Sequence, residues 1–228
     1  TAAARKYHLA QGEQIDDEYM ISRHPSVSII SNIGKDGKPV MDNGGLGSYE
    51  VVWHSDNSYV EKPPAGSMLY SLVVPTKGGG DTSFNNQYQA YDELPDDLKK
   101  AIEGKSQIHD SSRNSAGVLR PGVKPPTKPE EVEGPAHPLV RVHPVTGRRV
   151  LYVNRQFCTR IKGLKADESE TLLEFLYRQA TIPEYQLRVK WQPNTLVMWD
   201  NRSVQHYAVH DYYPARRTME RVTVKGDK

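Results

Sequence analysis

Short segments of alternating or continuous apolar residues recur along this chain, and most of them end at a turn that contains glycine or proline. The last segment, residues 217–225, alternates strictly, so that Arg217, Met219 and Arg221 would share one face of a strand. The 17 glycines and 16 prolines among 228 residues favour many short strands joined by turns over a helical bundle. We therefore predict a mainly β fold with flanking helices.

The individual elements follow from the same patterns. Strands are predicted at residues 26–33, 49–54, 67–74, 139–143, 149–153, 185–191, 195–199 and 217–225, and a further strand begins at residue 81. Helical periodicity is present at residues 87–93, after Pro95, and from Asp167 onward. Residues 111–137 contain five prolines and no periodicity, which predicts an active-site lid rather than a linker. Residues 1–228 are interpreted as one domain.

Charge and composition limit the classes of partner. The net charge is only +2, and the 30 basic residues are interspersed with 28 acidic ones, so no nucleic-acid footprint is present. No apolar run is long enough to span a bilayer, and the N-terminus lacks a signal-peptide pattern. The single cysteine, Cys158, excludes an internal disulfide framework. We expect a soluble cytoplasmic protein without a nucleic-acid or membrane partner.

A candidate metal site begins at His54 and Asp56. In a strand these two side chains project from one face, and a distant histidine would complete a facial triad that leaves the opposite face of iron open. His206, which follows a strand and a turn late in the chain, is the best third ligand. Two alternatives remain open at this point: His206 is a hydrogen-bonded core histidine, or His210 is the ligand instead.

Two arginines strengthen the interpretation of a metal site. Arg217 and Arg221 lie four residues apart on one predicted strand face, and burying them is costly unless an anion meets them. A guanidinium group binds a carboxylate in a bidentate manner, so a dicarboxylic cosubstrate is the anion to expect. Short antiparallel strands, two outer helices and this order of ligands fit a double-stranded β-helix, that is, a cupin-like jelly roll.

Four motifs resemble those of the taurine dioxygenase (TauD/TfdA) family of iron(II)- and 2-oxoglutarate-dependent dioxygenases. They are Trp-His-Ser-Asp at 53–56, Gly-Gly-Asp-Thr at 79–82, the segment from Trp199 to Ala208, and Arg-Arg-Thr-Met-Glu-Arg at 216–221. The similarity extends over nearly everything from about residue 26 onward. The four motifs are specific in combination, although each one alone is not.

The resemblance assigns roles to individual residues. It implies that His54, Asp56 and His206 bind Fe(II) and are the catalytic centre, and that Arg217 and Thr82 hold the distal carboxylate of 2-oxoglutarate. Arg221 resembles the second arginine of the family, near the keto-acid end of the cosubstrate, where it also meets an anionic group of the substrate. Trp199 would form a wall of the cosubstrate pocket, with plain core packing as the alternative.

The substrate is less well defined by the resemblance. Glu50, Asn57, Phe157 and Arg221 are the candidate substrate-binding residues, and Glu50 stands about where taurine dioxygenase has an asparagine that contacts taurine. This difference argues against taurine. We expect hydroxylation of a small anionic molecule: a sulfonate, a sulfate ester, a phenoxy acid or an amino-acid-like compound. Dioxygen would be consumed, succinate and CO2 released, and the protein would be a homodimer or homotetramer.

Two other classes of function use the same residues. A zinc-dependent hydrolase would carry an activated water on the His/Asp/His triad, although Thr82 and the paired arginines argue against it. A non-catalytic jelly-roll binding module would predict that His54→Ala leaves ligand affinity unchanged. Metal analysis separates the dioxygenase from the hydrolase.

Overall fold

The computed structural model of the chain describes residues 26–34, 36–41, 52–113, 119, 122–124 and 126–226. Three α-helices occur in this part of the chain: α1 (Gln87–Asp92), α2 (Asp96–Ile102) and α3 (Ala166–Gln179). The same residues form twelve strands: β1 (Ser28–Ser31), β2 (Gly66–Val73), β3 (Thr82–Asn86), β4 (Ser106–His109), β5 (Ala136–Pro138), β6 (Val140–Val142), β7 (Arg149–Leu151), β8 (Cys158–Ile161), β9 (Gln186–Val189), β10 (Leu196–Asp200), β11 (Val204–Ala208) and β12 (Thr218–Val224). The prediction of a mainly β protein with few helices is confirmed.

Two antiparallel sheets enclose the part of the fold that carries the candidate site. The first sheet has the order β1-β12-β2-β10, and the second has the order β11-β3-β9. The chain passes from the first sheet to the second between β2 and β3, and again between β10 and β11. Both sheets contribute side chains to one apolar core, which contains Ile30, Leu69, Phe84, Trp191, Trp199 and Met219. The two sheets therefore pack face to face.

A second core lies beside these sheets, under the helices. It joins α1, α2 and α3 to the smaller sheets β5-β4-β8 and β6-β7. Helix α3 turns Leu173, Leu176 and Tyr177 inward, as the sequence periodicity predicts, and Leu172 packs at the margin of the same core. The helical pattern after residue 86 is divided into two short helices, because Pro95 cannot continue the first one.

The strands β4 and β8 are additions to the sequence prediction. Each carries polar side chains, such as Gln107 and Arg160, so neither has the alternation that identifies a half-buried strand. The last two residues of the predicted lid, 136 and 137, form β5 together with Pro138 and pair with β4. The predicted strand at residues 49–54 lies partly outside the described residues, and His54 within it makes an isolated antiparallel bridge to His206. Over the described ranges, no helix combines the length and the apolar character needed to cross a membrane.

Candidate metal centre

His54, Asp56 and His206 meet between the two sheets. Their backbone placement comes from reciprocal hydrogen bonds, in which the His54 amide donates to the His206 carbonyl at 3.1 Å and the His206 amide donates back at 2.8 Å. The relative exposures are 0% for His54, 1% for Asp56 and 5% for His206. One ligand atom from each residue lies within 4.8 Å of the others. The three residues form the one such group of metal-binding side chains found among the described residues.

The orientation of His54 suits a metal ligand. Its Nδ1 lies 2.8 Å from the Val52 carbonyl oxygen, which can only accept a hydrogen bond, so Nδ1 carries the proton. Its Nε2 is buried and has no hydrogen-bond partner among the residues that the structure describes. A buried acceptor without a partner is costly, whereas a divalent cation would use its lone pair. The donor set of two imidazoles and one carboxylate therefore fits a transition-metal ion.

Asp56 is fixed at both carboxylate oxygens. Ser67 Oγ donates to Oδ2 at 2.5 Å, and Asn201 Nδ2 donates to the same serine oxygen at 2.9 Å. On the other side, Oδ1 lies 3.9 Å from His54 Nε2, 3.8 Å from His206 Nε2 and 3.5 Å from Arg221 Nη1. The carboxylate is therefore held with one oxygen toward both imidazoles.

The charges of the site keep the donor atoms in the forms that a metal requires. Burial by itself would raise the pKa of Asp56, but the Arg221 guanidinium, the two histidine rings and the Ser67 hydroxyl together lower that pKa to about 2. Burial, reinforced by the adjacent His54 ring, lowers the pKa of His206 to about 3. At neutral pH the carboxylate is ionised and the His206 ring is neutral, so both can coordinate a cation.

Arg217 and Thr82 lie together at a second place, around the ring of Trp191. Trp191 Nε1 donates to Thr82 Oγ1 at 3.0 Å, and the Arg217 guanidinium carbon lies 6.0 Å from the centre of the Trp191 ring. Arg217 Nε donates to the Gly80 carbonyl at 3.0 Å, and its backbone amide donates to Asn32 Oδ1 at 2.9 Å. Both Thr82 and Arg217 are buried.

The two arginines thus have different neighbours. Arg221 Nη1 lies 3.5 Å from Asp56 Oδ1, so a protein carboxylate, and not only the expected cosubstrate, balances its charge. Arg217 lies instead with the guanidinium carbon 5.8 Å from the centre of the Tyr212 ring and against the backbone of Gly80. A Cβ on Gly80 would stand 2.9 Å from Arg217 Cδ, so a glycine is needed at this close approach.

Trp199 and Phe157 both lie beside the imidazoles. The Trp199 ring centre is 5.0 Å from that of His206, and its Nε1 donates to Asn201 Oδ1 at 2.8 Å. Phe157 is fully buried, with its ring centre 6.4 Å from that of His54 in an edge-on arrangement. His210 packs against Tyr212, with ring centres 5.0 Å apart.

Of the other two substrate candidates, Asn57 and Glu50, the structure describes only Asn57. Asn57 Oδ1 accepts a hydrogen bond from Tyr59 at 2.9 Å, and the Tyr59 ring centre lies 4.9 Å from that of Phe157. Tyr59 therefore connects Asn57 to Phe157, whose ring lies beside that of His54. Glu50 lies outside the described residues.

Sequence reasoning missed several residues that shape the site. Ser67, Asn201 and Tyr59 are common polar residues, and no periodic pattern marks them. Ser67 and Asn201 act through partners in other parts of the chain, and Tyr59 contacts the distant Phe157. Trp191 carried a weak signal, as an aromatic residue at the end of a predicted strand and directly before the turn at Pro193.

Comparison with known proteins identifies related sequences. The family model described as "Taurine catabolism dioxygenase TauD, TfdA family" matches residues 3–223. An α-ketoglutarate-dependent sulfonate dioxygenase of Saccharomyces cerevisiae is 40% identical over 179 residues, which are 77% of this chain and 42% of the yeast protein. An α-ketoglutarate-dependent sulfate ester dioxygenase of Pseudomonas putida is 34% identical over 90% of this chain and 68% of its own length. The chain thus spans less than half of the yeast relative.

Solved structures give the same picture for the fold. A taurine dioxygenase from Burkholderia xenovorans superposes with a TM-score of 0.71 at 32% identity, covering 97% of this chain and 72% of that one. The protein AAD-2, solved in complex with Mn(II) and N-oxalylglycine, superposes with a TM-score of 0.69 at 35% identity, covering 78% of this chain and 70% of AAD-2.

Proposed function

Because the chain belongs to the TauD/TfdA family of taurine catabolism dioxygenases, we propose that it is an iron(II)- and 2-oxoglutarate-dependent dioxygenase. The observation that carries the proposal is the buried group of His54, Asp56 and His206, with one ligand atom of each within 4.8 Å of the others. These three residues would hold the iron and leave one face of it open. The bound iron, with 2-oxoglutarate and O2, would supply the oxidising power for C–H hydroxylation, with release of succinate and CO2.

The residues of the chain have separate tasks in this scheme. Arg217 and Thr82 would bind the distal carboxylate of 2-oxoglutarate, Arg217 through its planar guanidinium and Thr82 through its hydroxyl. Trp199, which packs on the His206 ring, would wall the cosubstrate pocket and exclude water from it. Arg221 would neutralise negative charge near the keto-acid end, since it already lies 3.5 Å from Asp56 Oδ1.

We propose a small anionic primary substrate. Matched relatives are described as acting on sulfonates, sulfate esters and 2,4-dichlorophenoxyacetate, all of which carry a negative charge at neutral pH. Arg221 supplies a cation beside the centre, and the Phe157 ring lies edge-on to that of His54. Asn57 and Phe157 would contact the substrate. If the hydroxylated carbon bears a sulfonate, sulfate or ether oxygen, the product would break down and release that group.

We further propose a double-stranded β-helix, a lid and a homo-oligomer. The face-to-face packing of the two antiparallel sheets supports a double-stranded β-helix. A lid at residues 111–137 remains a prediction; the described part of this segment includes a 3-10 helix at Pro129–Glu131 and the first two residues of β5. A homodimer or homotetramer can be tested by light scattering on the purified protein, and a single mass equal to one chain would contradict it.

The activity test follows succinate. The protein is loaded with Fe(II) under ascorbate and given 2-oxoglutarate with an organosulfonate, an alkyl sulfate ester, a phenoxyacetate or an amino acid. We expect succinate in a one-to-one ratio to the hydroxylated product for at least one anionic compound. An absence of succinate over the whole panel, with metal binding intact, would count against the proposal.

Two controls sharpen the result. Asp56→Asn keeps the size of the side chain but removes the negative ligand, so succinate formation should fall to the level of the metal-free protein. Replacing Fe(II) by Zn(II) should also abolish it, because zinc has no redox chemistry. Ester hydrolysis that requires zinc and no 2-oxoglutarate would favour a hydrolase instead.

A further inference from the structure

We propose that Trp191 is a positioning residue for the dicarboxylic cosubstrate, because its single indole contacts both Thr82 and Arg217. The inference rests on the proposed function, since it assumes that these two residues bind the distal carboxylate. It adds a residue to which the sequence motifs assign no role. Trp191 lies between β9 and β10 and is buried in the core shared by the two sheets.

The first contact sets the direction of the Thr82 hydroxyl. A threonine hydroxyl has one proton to donate and two lone pairs that accept, whereas an indole N–H can only donate. Since Trp191 Nε1 lies 3.0 Å from Thr82 Oγ1, the hydroxyl must act as the acceptor in this bond. Its own proton is then directed elsewhere. A carboxylate accepts hydrogen bonds and cannot donate them, so the indole turns Thr82 into the donor that a carboxylate requires.

The second contact limits the orientation of Arg217. Its guanidinium carbon lies 6.0 Å from the Trp191 ring centre and 5.8 Å from the Tyr212 ring centre. A cation is attracted to the face of an aromatic ring at this range. Arg217 Nε is bound to the Gly80 carbonyl at 3.0 Å, so a carboxylate would approach the edge of the guanidinium formed by its two Nη nitrogens. One aromatic residue therefore helps to set both partners of the same carboxylate.

The competing explanation is that Trp191 only fills space in the core. Trp191→Phe separates the two explanations, because it keeps an aromatic ring and removes the N–H that binds Thr82. If Trp191 only packs, the variant should lose some stability and bind the cosubstrate normally. If it positions Thr82, cosubstrate binding should weaken even when the variant is fully folded.

The first experiment measures binding without turnover. The Mn(II)-loaded protein is titrated with N-oxalylglycine, an analogue of 2-oxoglutarate, by calorimetry. We expect the dissociation constant of Trp191→Phe to be about five to thirty times that of the wild type, the effect of one hydrogen bond in a charged pocket. Tyr70→Phe is the matched control, because it removes one hydroxyl bond, to Asn194 at 2.7 Å, away from the site. It should bind as the wild type does.

A double-mutant comparison tests whether Trp191 affects cosubstrate binding through Thr82. If the indole acts through the Thr82 hydroxyl, Thr82→Val should weaken binding, and adding Trp191→Phe should cost little more. In turnover, KM for 2-oxoglutarate should rise with kcat nearly unchanged. Binding of N-oxalylglycine by the wild type but equally by Trp191→Phe would overturn the inference alone, and fully additive effects would overturn the route through Thr82. No binding by the wild type would overturn the proposed function with it.

A second measurement covers the case in which Trp191→Phe does not fold. The chain has three tryptophans, so its indole N–H groups give three signals in a nitrogen–proton NMR spectrum, assigned with Trp53→Phe and Trp199→Phe. The Trp191 signal should move when Thr82→Val removes its acceptor. It should also move when N-oxalylglycine binds to the Zn(II)-loaded wild type. A Trp191 signal that responds to neither change would contradict the proposal.

Discussion

Ser67 contacts a metal-binding carboxylate and is expected to influence metal affinity through it. Its hydroxyl donates to Asp56 Oδ2 at 2.5 Å and holds the other carboxylate oxygen toward both imidazoles. We expect Ser67→Ala to weaken metal binding by about 10- to 100-fold, because the carboxylate loses this orientation. A titration with Mn(II), followed by calorimetry, measures the effect.

Ser31→Ala is the control for the Ser67→Ala prediction. It breaks a buried hydroxyl pair in the same sheet, 3.0 Å between Ser31 Oγ and Thr218 Oγ1, on two strands that carry none of the three metal-binding residues. Its metal affinity should equal that of the wild type. Equal affinities for both serine variants would show that Asp56 does not depend on Ser67.

The sequence could predict the site residues that belong to local motifs. His54, Asp56, His206, Thr82 and Arg217 belong to local motifs, and the structure brings the first three together and the last two around one indole. Ser67 and Trp191 were not predictable as site residues, since each makes a hydrogen bond to a residue in another element. Such a bond leaves no periodic trace in the sequence.

Among the elements, helix α3 provides a direct test of the second core. Leu176 is fully buried on the inner side, whereas the neighbouring Phe175 is 41% exposed. Leu176→Ala should lower the free energy of unfolding by about 2–5 kcal/mol, because it removes buried methyl groups and leaves a cavity. Phe175→Ala should change it by only about 0.5 kcal/mol. Urea unfolding measures both, and equal effects would show that the helix does not pack as described.

The hairpin β6–β7 is joined to the end of β10 by a charged contact. His143 Nε2 lies 2.9 Å from Asp200 Oδ2, and Arg202 binds the same carboxylate at 2.8 Å. Partial burial would raise the pKa of Asp200, but the bonds to Arg202 and His143 outweigh it and lower that pKa to about 2. Since this pKa lies below its usual value near 3.8, the contact contributes stability above about pH 4 and loses it as the pH falls through 2.

Asp200→Asn should therefore melt at a lower temperature than the wild type at pH 7, and the difference should shrink steadily between pH 4 and pH 2. Thermal unfolding followed by circular dichroism across this range is the measurement. Asp96→Asn is a suitable control, since its carboxylate is 91% exposed and makes only a 3.7 Å contact with Lys99. A pH-independent difference for Asp200→Asn would contradict the assigned ionisation.

Element prediction from the sequence succeeded where periodicity was strong. Helix α3 and strands β2, β10 and β12 have clear apolar patterns, and each lies within one or two residues of its predicted place. Strands β4 and β8 are short and polar, so tertiary pairing decides their conformation rather than local preference. Arg217 was predicted inside the last strand, but β12 begins one residue later at Thr218.

Ligand binding should raise the thermal stability of the whole protein. A ligand at about 100 times its dissociation constant adds roughly 2.7 kcal/mol to the free energy of unfolding. For a chain of this size that corresponds to a rise in Tm of roughly 5–10 °C. We expect N-oxalylglycine to raise Tm only when Mn(II) is present, because its oxalyl group would chelate the metal. Asp56→Asn should show no rise, and an equal rise without metal would contradict a shared site.

The backbone bridge between His54 and His206 has a consequence for how the protein matures. The two histidines are joined by reciprocal hydrogen bonds although they are far apart in sequence, so forming this contact has an entropic cost of loop closure. During synthesis, the nascent chain cannot capture metal until the segment from Val204 to Ala208 has left the ribosome and paired with β3. Chains that stall or are cleaved before β11 would lack the third metal ligand, whereas β12, which follows β11, could still pair later.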